Sequence, residues 1–221
     1  QMLAMGKRFA FADQAVTSAV IDLELTRLNQ RRSASFRPAL GDEADAYFVR
    51  RAHRFPALAW QPEPAAVSCG EAWELSPRIK HEELGRAVML GLYDYMRKSR
   101  SRGFVLSLSG GADSTACGVL VHLMVREGVR QLGFEGFLAK LPYLPELAGL
   151  ADEQAITGHL LTTAYQSTRN SGDVTRHAAR DVAAAIGATH HELDVDALVA
   201  GYTGMIAGAI GRDLAWATDD V

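Results

Sequence analysis

The stretch Phe104–Ser114, FVLSLSGGADS, constrains this chain more than any other. Phe104, Val105, Leu106, Ser107 and Leu108 read as a buried strand. A helical pattern follows at once. Ala116, Leu120, Leu123 and Met124 recur on one face, and Gly128 suits the stop. The residues between, Ser109 to Ser114, therefore fall on a strand-to-helix turn. A helix N-terminus there offers unpaired N–H groups to an anion. Gly110 and Gly111 let the backbone approach a ligand and permit a positive φ. Ser109 and Ser114 add hydroxyl donors. Asp113 would repel a bare phosphate, so it makes sense only with a cation between them.

The turn is not a Walker P-loop, because no lysine follows the glycines. It is not GxGxxG either, so the usual dinucleotide turn is not indicated. The Gly110 and Gly111 amides with the Ser109 and Ser114 hydroxyls can still hold an anion, with Asp113 on a hard cation such as Mg²⁺. That hard cation prefers carboxylate and phosphate oxygens. The ordinary alternative is a Gly-Gly turn with Asp and Ser as helix caps. Capping needs one such residue, not all of them.

Downstream, Leu160–Tyr165 reads as a strand that runs into the polar loop Gln166–Asp173. Val174, Ala178, Val182, Ala185 and Ile186 form the face of a helix that Gly187 stops. Thr189–Val195 is a third strand. Asp194 or Asp196 can cap a last helix, with Leu198, Tyr202, Met205, Ile206 and Ala209 inward and Gly211 at its end. Strand and helix alternate, which implies parallel strands with helical crossovers, an α/β fold. Ligands bind at the carboxyl ends of such strands. That places Ser109–Ser114 and Gln166–Asp173 on one edge.

Upstream, Ser76-Pro77 opens a helix with the stripe Leu84, Val88, Gly91, Leu92, Tyr95 and Met96. Arg97, Lys98, Arg100 and Arg102 suit its C-terminal end, or could guide a phosphorylated ligand. Residues 38–76 read as a proline- and glycine-punctuated linker in which Phe55, Leu58, Trp60 and Trp73 pack on a surface. Residues 1–37 read as the end of an earlier domain. It has strands at Gln1–Met5 and Val16–Leu23, the latter buried on both sides, then a solvated charged helix or exit loop at Glu24–Arg32. Val129–Gly158 reads as a short helix and a loop. The opening Gln1-Met2-Leu3-Ala4-Met5 has the look of an interior segment, so a fragment is expected.

Composition adds limits. The chain has 221 residues, 48% hydrophobic and 22% charged, enough for a core. A formal charge of −3 gives no global field to recruit nucleic acid or an anionic membrane. The two cysteines, Cys69 and Cys117, and seven histidines show no zinc-ligand spacing. Cys69 reads as a plain loop thiol and Cys117 as a space-filler behind the turn. His190 and His191 sit in a strand, so one faces each side of the sheet, as packing or surface residues. A reduced, cytoplasmic setting is expected, with no membrane span.

SGGADS after an apolar strand resembles the PP-loop of the N-type ATP pyrophosphatases. The resemblance widens with TTAYQSTRNSGDVTRHAARDVAAAIGATHHELDVD, which is similar to the synthetase domain of glutamine-dependent NAD⁺ synthetases. GKRFAFADQAVTSAVIDLELTR resembles the closing strands of the nitrilase-like glutaminase domain that precedes it in that family. The resemblance implies a PP-loop parallel sheet flanked by helices. It divides the chain into 1–37, the end of the glutaminase domain, 38–76, a linker, and 77–221, the first part of the synthetase domain. It implies that ATP adenylates nicotinic acid adenine dinucleotide on its carboxylate, releasing pyrophosphate. Ammonia from glutamine then displaces AMP to give NAD⁺. The implied nucleotide-binding residues are Ser107, Leu108, Ser109, Gly110, Gly111, Ala112, Asp113 and Ser114, with Tyr165 and Gln166 near adenosine. Asp113 is the implied catalytic and metal residue. A homo-oligomer is implied. The family's Glu–Lys–Cys triad would lie before Gln1, so Cys69 is not its nucleophile, and the 221-residue piece alone is expected to be inactive. A GMP-synthetase-like pyrophosphatase or a non-catalytic nucleotide-binding piece are the alternatives.

Overall fold

Leu161–Ser167 becomes the middle strand of a three-stranded parallel sheet. The computed structural model describes residues 4–19, 21–33, 51, 52, 54, 70–215 and 219. Its strands are β1 (Phe104–Ser107), β2 (Leu161–Ser167) and β3 (Thr189–Asp194), in the order β1-β2-β3. Phe104 pairs with Leu161, and Thr162 with Thr189. Leu161, Thr163 and Tyr165 alternate into the interior, the period of two that a strand imposes. The expected parallel α/β sheet is therefore present.

The helices are α1 (Leu23–Arg32), α2 (Ile79–Ser99), α3 (Ala112–Leu132), α4 (Phe134–Ala139), α5 (Glu153–Leu160), α6 (Asp173–Ile186) and α7 (Asp196–Ile210). Short 3₁₀ turns occupy Ala72–Leu75 and Pro145–Gly149. No helix among the described residues is long and apolar enough to cross a membrane.

The chain divides into two compact units. The first comprises Gln1–Lys7 and Ala15–Glu71, and the second Arg8–Gln14 and Ala72–Val221. In the first unit, the Asp22 carboxylate caps α1 by accepting from Leu25 N at 3.0 Å. No α1 residue is buried, so the charged stretch is a solvated helix as read. The strand expected at Val16–Leu23 is absent among the described residues. Val16 is 95% exposed, and α1 begins at Leu23. An apolar run becomes a strand only against a partner, and no described residue pairs with it. Residues 1–3 and 20, and the linker residues Phe55, Leu58, Trp60 and Cys69, lie outside the described residues.

In the second unit, Tyr93 and Met96 of α2 meet Met124 and Val125 of α3, Phe137 of α4, and Ile156 and Leu160 of α5. Gly128 does not stop α3. It lies inside the helix, where a Cβ would sit 2.6 Å from the Phe137 ring and 3.3 Å from Phe11. The stop is Gly133, at φ 74°. The stripes read from sequence are also rotated. In α2 the buried residues are Met89, Tyr93 and Met96, while Leu84 and Tyr95 face out. In α3 they are Gly118, Val121, Met124, Val125 and Gly128, with Ala116 exposed. Cys117 is exposed too, so it fills no space behind the turn. Val174 of α6 is exposed, and the burial falls on Ala179, Ala183 and Ile186.

Two further differences are local. Ser76 does not cap α2 directly. Its hydroxyl accepts from Arg78 N at 3.1 Å, and Pro77-Arg78 make one turn before the helix starts at Ile79. Val129–Gly158 holds most of α5 as well as α4, and Leu141, Leu144 and Leu147 in its turns are buried. The Asp152 carboxylate caps α5, accepting from Ala155 N at 2.8 Å. Arg97, Lys98 and Arg102 are engaged with acids: Arg97 with Asp13 and Asp94, Lys98 with Asp94, Arg102 with Glu146.

Candidate functional site

Leu108 is the floor of the site. It is fully buried with Tyr165, Ala179 and Ala183, and its N–H donates to Ala164 O at 2.9 Å. Burying such a side chain is worth about 1.5–3 kcal/mol. That tethers the chain where it leaves β1 and turns into α3. The turn above it is organised by its own hydroxyls. Ser109 N donates to Ser114 Oγ at 3.3 Å, and the two hydroxyls lie 3.1 Å apart. Gly111 N donates to Ser109 Oγ at 3.3 Å, and Ser114 Oγ donates to Gly111 O at 3.2 Å. Bonds near 3.3 Å are long for N–H···O, so these donors are already gathered and weakly engaged.

The two glycines have different work. Gly110 adopts φ 77°, and a Cβ there would collide with the Thr175 carbonyl oxygen of α6. Gly111 has an ordinary φ of −83° as the N-cap of α3. So Gly110 is required for the turn and its packing, while Gly111 presents at the helix start an amide held only by the long bond to Ser109 Oγ. Ala112 and Asp113 follow in the first turn of α3, both exposed.

A cleft of about 420 Å³ opens beside this turn. Ser107, Leu108 and Ser109 form one wall, and Tyr165 and Gln166 face them from β2. The two walls touch where Ser107 Oγ donates to Gln166 Oε1 at 3.1 Å. The structure thus brings the residues expected near phosphates and near adenosine to one place. Gly110 to Ser114 are outside the cleft wall and join it through the Ser109–Ser114 contact. Tyr165 is 5% exposed, and its hydroxyl shares a 2.8 Å hydrogen bond with Thr175 Oγ1. It therefore offers mainly a surface, while exposed Gln166 offers an amide.

Sequence reasoning singled out the loop Gln166–Asp173 without its separate roles. Asn170, Ser171, Gly172 and Thr175 complete the cleft. A smaller cleft of about 260 Å³ adjoins, sharing Tyr165, Ser171 and Gly172 and adding Arg169, Arg176, Asp194 and Asp196. Arg169 holds the Asp196 carboxylate in a two-pronged contact at 2.6–3.0 Å, which keeps that carboxyl below its usual range. Asp194 Oδ1 accepts from Asp196 N at 2.9 Å just before α7, but the N-cap of that helix is Val195 and no side chain caps it, so neither aspartate is the cap expected. Only the alternation of charge in RNSGD and DVD hinted at this pairing. His190 is partly buried, its ring 2.8 Å from Thr163 Oγ1, and burial pushes its pKa down. His191 is exposed. Both are packing or surface residues, as read.

A hard divalent cation fits the donor set. One exposed carboxylate, two hydroxyls and phosphate oxygens are what Mg²⁺ takes when it is shared with a nucleotide. No group of three or more acidic, histidine or cysteine side chains suited to a metal occurs among the described residues. Such a cation would therefore have to arrive with its phosphates.

No protein-family model matches the chain. Curated relatives do. The chain is 31% identical over 220 residues to the glutamine-dependent NAD(+) synthetase of Macaca fascicularis, covering 96% of this chain and 30% of that protein. The human protein of the same name gives 31% over 221 residues, again 96% and 30%. A solved glutamine-dependent NAD(+) synthetase from Cytophaga hutchinsonii superposes with a TM-score of 0.60 and 48% identity, covering 64% of this chain and 26% of that one. Along 96% of its own length this chain is a relative of the glutamine-dependent NAD(+) synthetases, and it spans about 30% of theirs.

Proposed function

We propose that this chain is the ATP-binding portion of a ligase that forms NAD⁺ from nicotinic acid adenine dinucleotide, ATP and glutamine-derived ammonia. The observation that carries this is the SGGADS turn without a lysine, set beside a nucleotide-sized cleft at the carboxyl edge of β1 and β2. Gly111 N and the Ser109 and Ser114 hydroxyls bind the β- and γ-phosphates as they become pyrophosphate. Gln166 and the Tyr165 surface orient the adenosine end. Asp113 would hold Mg²⁺, which when bound offsets charge on the leaving group.

A carboxylate oxygen of the dinucleotide attacks the α-phosphorus. The O–P bond forms, the bond between the α-phosphorus and the bridging oxygen breaks, and pyrophosphate leaves with the electron pair. Ammonia then attacks the acyl carbon, and the C–O bond to AMP breaks. The amide loses a proton from nitrogen, and AMP departs. In-line positioning and gathered donors are this chain's contribution.

In this reading residues 1–37 end the glutaminase domain, 38–76 link, and 77–221 begin the synthetase domain. The protein is a cytoplasmic homo-oligomer. The exposed apolar side chains of α7 favour an oligomer.

The test uses the full-length protein. With ATP, nicotinic acid adenine dinucleotide and ammonium, pyrophosphate and AMP should appear only when the dinucleotide is present. Asp113→Asn should abolish both products while glutamine hydrolysis stays measurable. ADP and phosphate as products would sink the proposal.

A further inference from the structure

Thr175, in the first turn of α6, touches both walls of the cleft between β1 and β2. Its side chain is exposed, yet its hydroxyl is used twice. Thr175 Oγ1 donates to Gly172 O at 3.0 Å and lies 2.8 Å from the Tyr165 hydroxyl. A threonine hydroxyl carries one proton. That proton goes to Gly172 O, which can only accept, so Tyr165 is the donor in the second bond. The bonds thus run in one direction, from Tyr165 on β2 through Thr175 to the N-cap of α6.

The same residue meets the opposite wall with its backbone. Gly110 packs so closely on the Thr175 carbonyl oxygen that a Cβ would collide with it, and that Cβ would lie 3.3 Å from Ala178 Cβ. Deeper along α6, Ala179 and Ala183 are buried with Leu108 and Tyr165. The start of α6 is therefore wedged between the end of β2 and the SGGADS turn. Threonine commonly bonds to a nearby carbonyl of its own segment, and that habit accounts for the contact with Gly172. It does not account for Tyr165 and Gly110, which arrive from the ends of two different strands.

We propose that Thr175 is a positioning residue for ATP, fixing the span between the SGGADS turn and the end of β2 before the nucleotide arrives. The proposal rests on the reading of this cleft as the ATP site. There ATP reaches from one wall to the other, with adenosine against Tyr165 and Gln166 and its phosphates at the turn. A span that is already set spares the ordering cost of binding, so a loosened one weakens affinity. Ground state and transition state share that span, so kcat changes less than affinity does. Thr175 acts through Tyr165 and Gly110 and touches no reacting atom.

The test measures the affinity of the full-length protein for ATP with Mg²⁺ by titration calorimetry without the dinucleotide, then the ATP KM and kcat of NAD⁺ formation. Thr175→Val keeps the branched shape and removes the hydroxyl. It should weaken ATP binding about fivefold or more and raise the ATP KM by a similar factor, with kcat within about twofold. Thr175→Ser should recover most of the affinity. Tyr165→Phe leaves the Thr175–Gly172 bond in place, so it probes the span even where Thr175→Val fails to fold. It should weaken binding by a similar factor, and the double variant should lose no more than the larger single loss. Independent losses that multiply in the double variant would overturn the positioning role. So would Thr175→Ser binding as weakly as Thr175→Val, a fall in kcat at unchanged affinity, or variants that bind ATP as tightly as the unmodified protein. Unmodified protein that binds no ATP overturns the reading of the cleft itself, and the role of Thr175 falls with it.

Discussion

Gly110 and Gly111 look interchangeable in the sequence, yet only Gly110 sits at positive φ against another backbone. A glycine signature announces that some position needs conformational freedom or close approach. It does not say which neighbour comes close, because Thr175 arrives from α6, distant in sequence. Gly110→Ala should therefore destabilise the protein by about 1–3 kcal/mol and impair ATP use. Gly111→Ala should do less, since its Cβ would meet only the Ser109 hydroxyl at 3.3 Å. Urea unfolding of the two variants side by side checks the order, and equal losses would refute it. The same limit applies to Tyr165. The family resemblance implied a contact with adenosine there, and the structure adds that its hydroxyl is engaged with Thr175.

At the scale of elements, strand identity and parallel order were legible because β1 and β2 are short apolar or β-branched runs and the strands and helices alternate between Gly103, Gly172 and Gly187, although β3, THHELD, is mostly polar and exposed. The faces of α2 and α3 were less so. Each carries apolar residues around more than half its circumference, so periodicity alone cannot choose between Met89-Tyr93 and Leu84-Val88. Non-local partners choose, among them Phe11 and Phe137. Those partners bring charge with them. The hydrogen bonds from Arg97 and Lys140 hold the Asp13 carboxyl down at about 2. Burial pushes Glu127 up, but Arg130 and Gln131 outweigh it and leave its pKa at about 2, with Arg86 at 3.0 Å adding to the effect. Both acids titrate lower in the fold than in the unfolded chain. Their contribution is complete above the ordinary carboxylate range and is lost as pH falls toward about 2. The urea midpoint should accordingly drop between about pH 5 and about pH 3, and Glu127→Gln should flatten that drop. A midpoint that holds steady over that range would contradict the arrangement.

For the whole molecule, the largest departure from sequence expectation is α7. Leu198, Tyr202 and Met205 were read as inward, yet they are 72%, 65% and 66% exposed. A helix this apolar normally packs, and the sequence signals only that it wants a partner. No described residue of this chain supplies one to those side chains. Met205→Lys should thus change the unfolding free energy of the 221-residue chain by less than about 0.5 kcal/mol. A loss of about 2 kcal/mol or more in chemical denaturation would place that side chain in a packed interface within the chain. The parallel sheet, and the meeting of the turn after β1 with the end of β2, were therefore readable from FVLSLSGGADS and its alternating elements. What was not readable is everything that depends on segments far apart meeting.

The register of the sheet bears on how the cleft between β1 and β2 is assembled. Phe104 must find Leu161 across the whole of α3, α4 and α5, whereas Thr162 finds Thr189 across α6 alone. The first closure spans about twice the chain of the second and costs about 0.6 kcal/mol more in loop entropy. One wall of the cleft, β2 with its loop, thus belongs to the more local pairing. The other, β1 with the SGGADS turn, waits on the longest crossover in the sheet. Mutations that slow the packing of α3 to α5 would then delay the arrival of Ser107 to Ser114 more than that of Tyr165 and Gln166.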